Sequence, residues 1–167
     1  MQNKMKKLNF GCGEDIIEGF DNVDIQKSPK ITKSFDFDKF PYPFKDNTYD
    51  YVLSKQVIEH LIRPTKMLNE LHRICKPNSI IDIETCYYNN KGAFNDMEHF
   101  HYFSDQTFKH FVEETNKINK KRKFEIIKIE LAPTKVGRFI PKKLRERLSL
   151  FMGGGIGKIY VKLRVIK

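Results

Sequence analysis

Two glycines and a carboxylate near the start of the chain have a spacing that is typical of a ligand-binding site. Gly11 and Gly13 follow a short apolar run that begins at Leu8, and Asp24 closes the next apolar segment. Glycines let the backbone turn sharply and approach a ligand closely. A carboxylate at the tip of the second strand can accept hydrogen bonds from both hydroxyls of a ribose. The pattern therefore predicts a site for a cofactor that contains a nucleoside.

The spacing of these residues argues against a dinucleotide. The dinucleotide fingerprint has three glycines at the start of a helix and an acid about 20 residues further on, but Ile16 stands at the third glycine position. Only 13 positions separate Gly11 from Asp24, whereas a parallel crossover usually needs about a dozen residues or more for its helix alone. We expect a shortened first crossover with little to hold a pyrophosphate.

Length and composition predict a single domain over residues 1–167. The chain has 14 Phe and 7 Tyr, which is enough apolar surface for one core, and it is too short for two typical domains. The cysteines Cys12, Cys75 and Cys86 lack the spacing of metal ligands, so no metal site is predicted. No apolar run resembles a signal peptide or a membrane span, which predicts a cytoplasmic protein.

The net charge of +10 favours acidic partners. Lysine dominates the excess, and no arginine-rich or RNP-like motif is present, so sequence-specific binding of nucleic acid is not indicated.

Strands and helices alternate along the chain, and this alternation predicts an α/β fold. Two helices are expected, one beginning near Pro64 with Cys75 on its apolar face and one capped by Ser104. The strands are expected at the two glycine-turn segments and at residues 34–38, 49–54, 79–84, 124–131 and 158–166. The clean alternation of the last segment is typical of an antiparallel pair. We therefore predict a Rossmann-like open sandwich with a mostly parallel seven-stranded sheet that ends in an antiparallel strand pair.

A basic amphipathic helix is expected at residues 138–152. Its apolar side chains share one helical face, and its lysines and arginines fall elsewhere. Such a helix is suited to an anionic membrane surface. A lid over the site and a contact with another subunit are the alternatives.

Four ordered motifs together resemble the class I S-adenosylmethionine-dependent methyltransferases, with the small type 11 enzymes as the nearest branch. The motifs are Leu8 to Gly13, Gly19 to Ile25, Asp36 to Asp50 and Val57 to Leu61. The resemblance runs from about Leu8 to Val112, and more weakly to the end of the chain. Two departures stand out, because Asn9 replaces a common acidic residue and the first crossover is short.

The resemblance implies S-adenosylmethionine as cofactor, S-adenosylhomocysteine as product, and a set of cofactor-binding residues. The first glycine turn would wrap the methionine part, the acid after the second strand would hold the ribose, and a further acid and aromatic ring would meet the adenine. Two side chains after the fourth strand would line the pocket near the methionine. In chain order these residues are Phe10, Gly11, Cys12, Gly13, Asp24, Ile25, Asp36, Phe37, Ser54 and Gln56.

His60 and His99 are the candidates for catalysis. Methyl transfer depends mainly on positioning and on a water-poor site, and a general base is needed only where the acceptor arrives protonated. Histidine suits that task near neutral pH. His99 lies in the polar, aromatic loop between residues 86 and 103, and long loops of this kind are usually functional. A structural role for each histidine is the alternative.

The expected function is methyl transfer to a small-molecule acceptor such as a sugar or a lipid-linked envelope precursor. Methylation of RNA or protein is one alternative, although Ser54-Lys55-Gln56-Val57 stands where amino-methylating enzymes carry an Asn-Pro-Pro-Tyr-like motif. A non-catalytic module that binds S-adenosylmethionine is the other.

Overall fold

The computed structural model describes residues 4–167. Within this range a seven-stranded sheet has the strand order β3-β2-β1-β4-β5-β7-β6. The strands are β1 (Lys7–Phe10), β2 (Asp21–Asp24), β3 (Lys33–Ser34), β4 (Tyr49–Lys55), β5 (Cys75–Cys86), β6 (Lys123–Pro133) and β7 (Ile156–Ile166). The first five are parallel, and β7 runs antiparallel between β5 and β6. The predicted α/β fold with an antiparallel pair at one end is confirmed.

Residues 11–20 join β1 to β2 through turns alone, which confirms the shortened first crossover. Two buried asparagines hold this connection in place of a helix. The Asn9 side-chain amide donates to the Asp15 carbonyl at 2.7 Å and to Asn22 Oδ1 at 2.9 Å. Asn22 Oδ1 also accepts from the Ile17 backbone N–H at 2.9 Å. Asn9, where the resemblance implies an acid, therefore fixes the path of the crossover.

Two longer helices cover one face of the sheet. Helix α1 (Pro64–Ile74) starts with proline at its first turn, where the missing N–H costs nothing. Helix α2 (Asp105–Ile118) starts at the predicted cap, because the Ser104 hydroxyl accepts from the Thr107 N–H. Its buried Phe108 and Val112 join a core that also contains the buried side chains of β5 and β7. This packing follows from the period-2 and period-3.6 patterns of the sequence.

The opposite face of the antiparallel strands carries charged pairs. Lys162 contacts Asp82 at 2.9 Å, and Arg164 contacts Glu125 at 2.7 Å. Because β7 alternates between this face and the core, its lysines and arginine lie between buried residues along the strand.

Two predicted boundaries were wrong. The strand expected at 34–38 ends at Ser34, because the Asp36 carboxylate accepts from the Asp38 N–H at 2.9 Å and turns the chain. Cys75, which was placed on the helix, is the first residue of β5 and pairs with Tyr49. Helix α1 therefore passes directly into the strand, without the break expected at Pro77.

Residues 138–152 do not form one helix. A 3-10 turn at Gly137–Phe139 is followed by helix α3 (Lys142–Leu148), with Pro141 as the N-cap residue of α3. The buried side chain of α3 is Arg145, whose guanidinium donates to the Gly137 carbonyl at 3.0 Å. Phe139 and Phe151 are 83% and 86% exposed, so the expected apolar face is not packed. No helix within residues 4–167 combines the length and the apolar character needed to cross a membrane.

Candidate functional site

A cavity of about 740 Å³ opens where the parallel strands end. Turns after β1, β2 and β4 form its walls, and ligands in open α/β sheets bind at this edge. Its lining contains seven carboxylates but only two lysines, Lys55 and Lys158. The carboxylates are Glu14, Asp15, Asp24, Asp36, Asp38, Glu84 and Glu98. A strongly acidic site therefore lies in a chain whose net charge is positive.

The glycine turn is anchored to β2 and lines the cavity. The N–H groups of Gly11 and Cys12 both donate to the Val23 carbonyl, at 2.9 and 3.0 Å. Gly11 has a φ of +73°, a conformation that side chains disfavour. Burial raises the pKa of the Cys12 thiol, and the nearby Asp24 charge raises it further, so this cysteine stays protonated.

Asp24 is placed to hold a diol. Its two oxygens accept separate backbone N–H groups, from Gly13 at 2.8 Å and from Gln26 at 3.0 Å. A carboxylate has about four acceptor positions, so each oxygen keeps capacity for a ligand hydroxyl. Ile25 is 61% exposed and lines the cavity next to it.

The two residues predicted to bind adenine lie in the cavity wall, whereas Phe10, predicted to wrap the methionine part, lies beneath it. Asp36 and Phe37 line the cavity. The Phe37 ring stacks on Phe10 with a centroid distance of 4.0 Å. Phe10 is fully buried and is not among the lining residues, so its side chain supports the wall and does not touch the space.

Gln56 presents an unpaired amide at the end of β4. Its backbone has a φ of +52°, and its N–H donates to the Glu84 carbonyl at 2.8 Å. The Cys86 thiol donates to Gln56 Oε1 at 3.1 Å, while the buried Gln56 Nε2 has no partner. Ser54, which was predicted to line the pocket, is not among the residues that line the cavity; it is buried, and its hydroxyl is also unpaired. Buried polar atoms are normally hydrogen-bonded, so an unpaired amide beside a cavity is suited to a polar ligand.

The two candidate histidines lie together, but only one reaches the cavity. His60 lines it, and the His99 ring packs edge-on against His60 with a centroid distance of 4.5 Å. Glu59 lies beside them, 1% exposed, with neither carboxylate oxygen hydrogen-bonded. Glu59 belongs to the Val57 to Leu61 motif, but its approach to His99, 40 positions further along the chain, was not predictable from the sequence.

The cavity is also lined by residues that do not belong to any of the sequence motifs. Lys158 on β7 forms an ion pair with Glu84 on β5, and Glu98 comes from the long loop. The antiparallel pairing of β5 with β7 brings Lys158 to the site.

The comparisons with known proteins agree with this geometry. Residues 12–83 match the family model described as a methyltransferase domain. An uncharacterized protein of Methanocaldococcus jannaschii is 30% identical over 56% of this chain and 48% of its own length, so the chain covers about half of that relative.

Solved structures show the same fold at low identity. An S-adenosylmethionine-dependent methyltransferase from Archaeoglobus fulgidus has a TM-score of 0.71 at 18% identity, over 98% of this chain and 87% of that one. The [4+2]-cyclase SpnF has a TM-score of 0.66 at 13% identity, over 99% and 76%. Fold alone therefore does not decide the chemistry. Residues 12–83 are thus similar to a methyltransferase domain, and the fold of the chain is that of solved S-adenosylmethionine-dependent methyltransferases.

Proposed function

We propose that the protein transfers a methyl group from S-adenosylmethionine to a small-molecule acceptor. The observation that carries the proposal is the anchored Asp24 carboxylate beside the Gly11 turn, in a cavity that Gln56 also lines. The volume of about 740 Å³ lies within the range of about 300–1,000 Å³ typical of small-molecule sites. The match of residues 12–83 to the methyltransferase domain model supports the same activity.

The side chains at the cavity bind and orient, and the reactive methyl belongs to the sulfonium of the bound cofactor. Asp24 holds the ribose hydroxyls, and Asp36 with Phe37 receives the adenine. The turn from Gly11 to Gly13 encloses the methionine part, and Gln56 lies in the wall beside it. Holding donor and acceptor in line lowers the barrier by removing the entropy of encounter.

We propose that the acceptor occupies the end of the cavity near His60, with His99 behind that ring. The acidic lining supports a small acceptor over RNA, because seven carboxylates repel a phosphate backbone. A sugar or a lipid-linked envelope precursor is the acceptor class that we favour. The exposed apolar side chains at residues 136–152 support a membrane-proximal acceptor, since basic residues lie beside them.

Calorimetric titration with S-adenosylhomocysteine tests the cofactor assignment. The wild-type protein is expected to bind one equivalent. Asp24→Asn replaces one acceptor oxygen with an N–H donor, so we expect about a tenfold or greater loss of affinity, in line with the value of about 1.5–3 kcal/mol for hydrogen bonds to charged groups. Asp21→Asn, at the other end of β2, is the matched control and should bind like wild type.

Failure of the folded wild-type protein to bind would overturn the assignment. Transfer of labelled methyl from S-adenosylmethionine to an extract of small metabolites then tests catalysis. Binding without transfer to any fraction would favour the non-catalytic module. Transfer of the labelled methyl group to RNA, together with an affinity for RNA that falls steeply as the salt concentration is raised, would favour the RNA methyltransferase.

A further inference from the structure

We propose that Glu59, His60 and His99 form a binding site for a divalent metal ion. One ligand atom from each side chain lies within 4.8 Å of the others. Two imidazoles and one carboxylate are a common donor set for zinc, manganese, iron, cobalt and nickel. The cluster combines a 3-10 turn at Ile58–His60 with the loop of residues 87–103, so the chain's fold, and not a local motif, assembles it.

The buried carboxylate of Glu59 points to a cation. Glu59 is 1% exposed and neither oxygen has a hydrogen-bond partner among the described residues. An ionised carboxylate without a partner is costly to bury, and buried charges are usually paired or bound to metal. No lysine or arginine forms an ion pair with Glu59 within residues 4–167, so a cation from solution is the partner that the cluster lacks.

Both histidines are held in the orientation that metal ligands use. Nδ1 of His60 lies 3.2 Å from the Glu98 carbonyl, and Nδ1 of His99 lies 2.9 Å from the Ala93 carbonyl. Each Nδ1–H therefore donates to a backbone oxygen, which leaves the Nε2 lone pair free. Metal-bound histidines almost always donate their other ring N–H in this way.

Backbone hydrogen bonds fix the distance between the two halves of the cluster. The Glu59 carbonyl accepts from the N–H of Phe100 at 2.9 Å and of His101 at 3.2 Å. These bonds clamp the loop residue after His99 to the residue before His60. The three ligands are thus preorganised, and little conformational entropy is lost on binding the ion.

The coordination is open toward the cavity. Three protein ligands leave at least one position, as in catalytic rather than structural zinc sites, and His60 lines the cavity wall. The open position takes an oxygen of the acceptor, and the ion offsets the acidic lining. This role rests on the proposed function, and it predicts an acceptor with a hydroxyl, carboxylate or phosphate group next to the methylated atom.

Cobalt(II) titration of the chelator-treated protein tests the site. We expect one equivalent to bind, with the visible absorption of cobalt in a low-coordinate site. Glu59→Gln and His99→Gln should each weaken binding by about tenfold or more. His101→Gln, in the same loop, should leave binding unchanged.

Circular dichroism establishes that each variant folds. Lack of binding by the folded wild-type protein, or equal binding by Glu59→Gln, His99→Gln and His101→Gln, would overturn the metal site. Titration with S-adenosylhomocysteine, carried out without metal, reports on the cofactor site separately. A protein that binds S-adenosylhomocysteine but not cobalt would reject only the metal site. A protein that binds cobalt but not S-adenosylhomocysteine would reject only the proposed methyl transfer.

Discussion

Gly11 and Val57 meet where the turn after β1 passes the end of β4. A Cβ atom added to Gly11 would overlap the Val57 side chain, and the φ of +73° would strain any other residue. Gly19 has a similar φ of +79° but faces open space. An alanine at Gly19 would therefore meet backbone strain alone, whereas an alanine at Gly11 would meet the same strain and a steric clash.

Gly11→Ala should destabilise the protein more than Gly19→Ala. Overpacking typically costs about 1–3 kcal/mol beyond the strain that both variants share, and urea denaturation measures the difference. Because the obstructing atoms belong to Val57, adding Val57→Ala to Gly11→Ala should recover part of the loss. Additive effects of the two substitutions would contradict the contact.

Single residues of the site were predictable where a local motif carries them. Gly11, Gly13, Asp24, Asp36 and Gln56 lie at the ends of consecutive parallel strands, and all five line the cavity. Glu98 and Lys158 were not predictable, because the long loop and the antiparallel pairing of β5 with β7 bring them there. The positions of Glu98 and Lys158 depend on how the whole sheet is assembled. The binding roles of the five residues named above stay predictions.

At the scale of elements, the periodic segments were predictable and the short or interrupted ones were not. Strand β7 and helix α2 have strong patterns, and the Ser104 cap marks where α2 starts. Strand β3 has two residues and is limited by a side-chain turn. The segment at 138–152 has a helical pattern, but α3 begins only after Pro141, and Arg145 takes the buried position.

The exposed apolar residues around α3 give a prediction for lipid binding. Phe139 and Phe151 lie in a segment that also contains Lys142 and Lys143, all of them exposed. Co-sedimentation with vesicles that contain anionic lipid should exceed that with neutral vesicles and fall with added salt. Phe139→Ser with Phe151→Ser should weaken binding to vesicles of both kinds, because the apolar area that inserts is lost while the lysines remain.

Phe100→Ser is the control for this pair, because Phe100 is also exposed but lies in the loop before α2. Equal binding by the double variant and by wild type would exclude these side chains. A change in oligomeric state without lipid binding would favour a subunit contact.

On the scale of the whole molecule, His72 joins α1 to the far end of the sheet. Its Nε2 lies 3.0 Å from the Ile166 carbonyl at the end of β7, and its ring packs on Phe124 of β6. Burial lowers the pKa of His72 from its ordinary value of 6.5, the nearby charges of Lys167 and Arg122 lower it further, and the Ile166 hydrogen bond partly offsets them. The folded protein therefore favours the neutral ring.

Stability should fall as the solution is acidified below the ordinary pKa of histidine. Above about pH 6.5 the ring is neutral in both states, so its contribution is fully present. As the pH decreases through that value the unfolded chain binds the proton first, and stability is lost until the lowered pKa of the folded state is reached. Urea midpoints measured from about pH 8 to about pH 5 should show this loss, and His72→Gln should show less of it. Equal slopes for the two proteins would contradict the assignment.

Because carboxylates outnumber lysines around the cavity, the proposed site should bind the charged form of the cofactor more strongly than the uncharged form. A sulfonium carries a positive charge, and the thioether left after methyl transfer carries none. The attraction of seven acids, opposed by two lysines, therefore weakens at the moment the methyl group departs. The lost charge would therefore favour release of the spent cofactor.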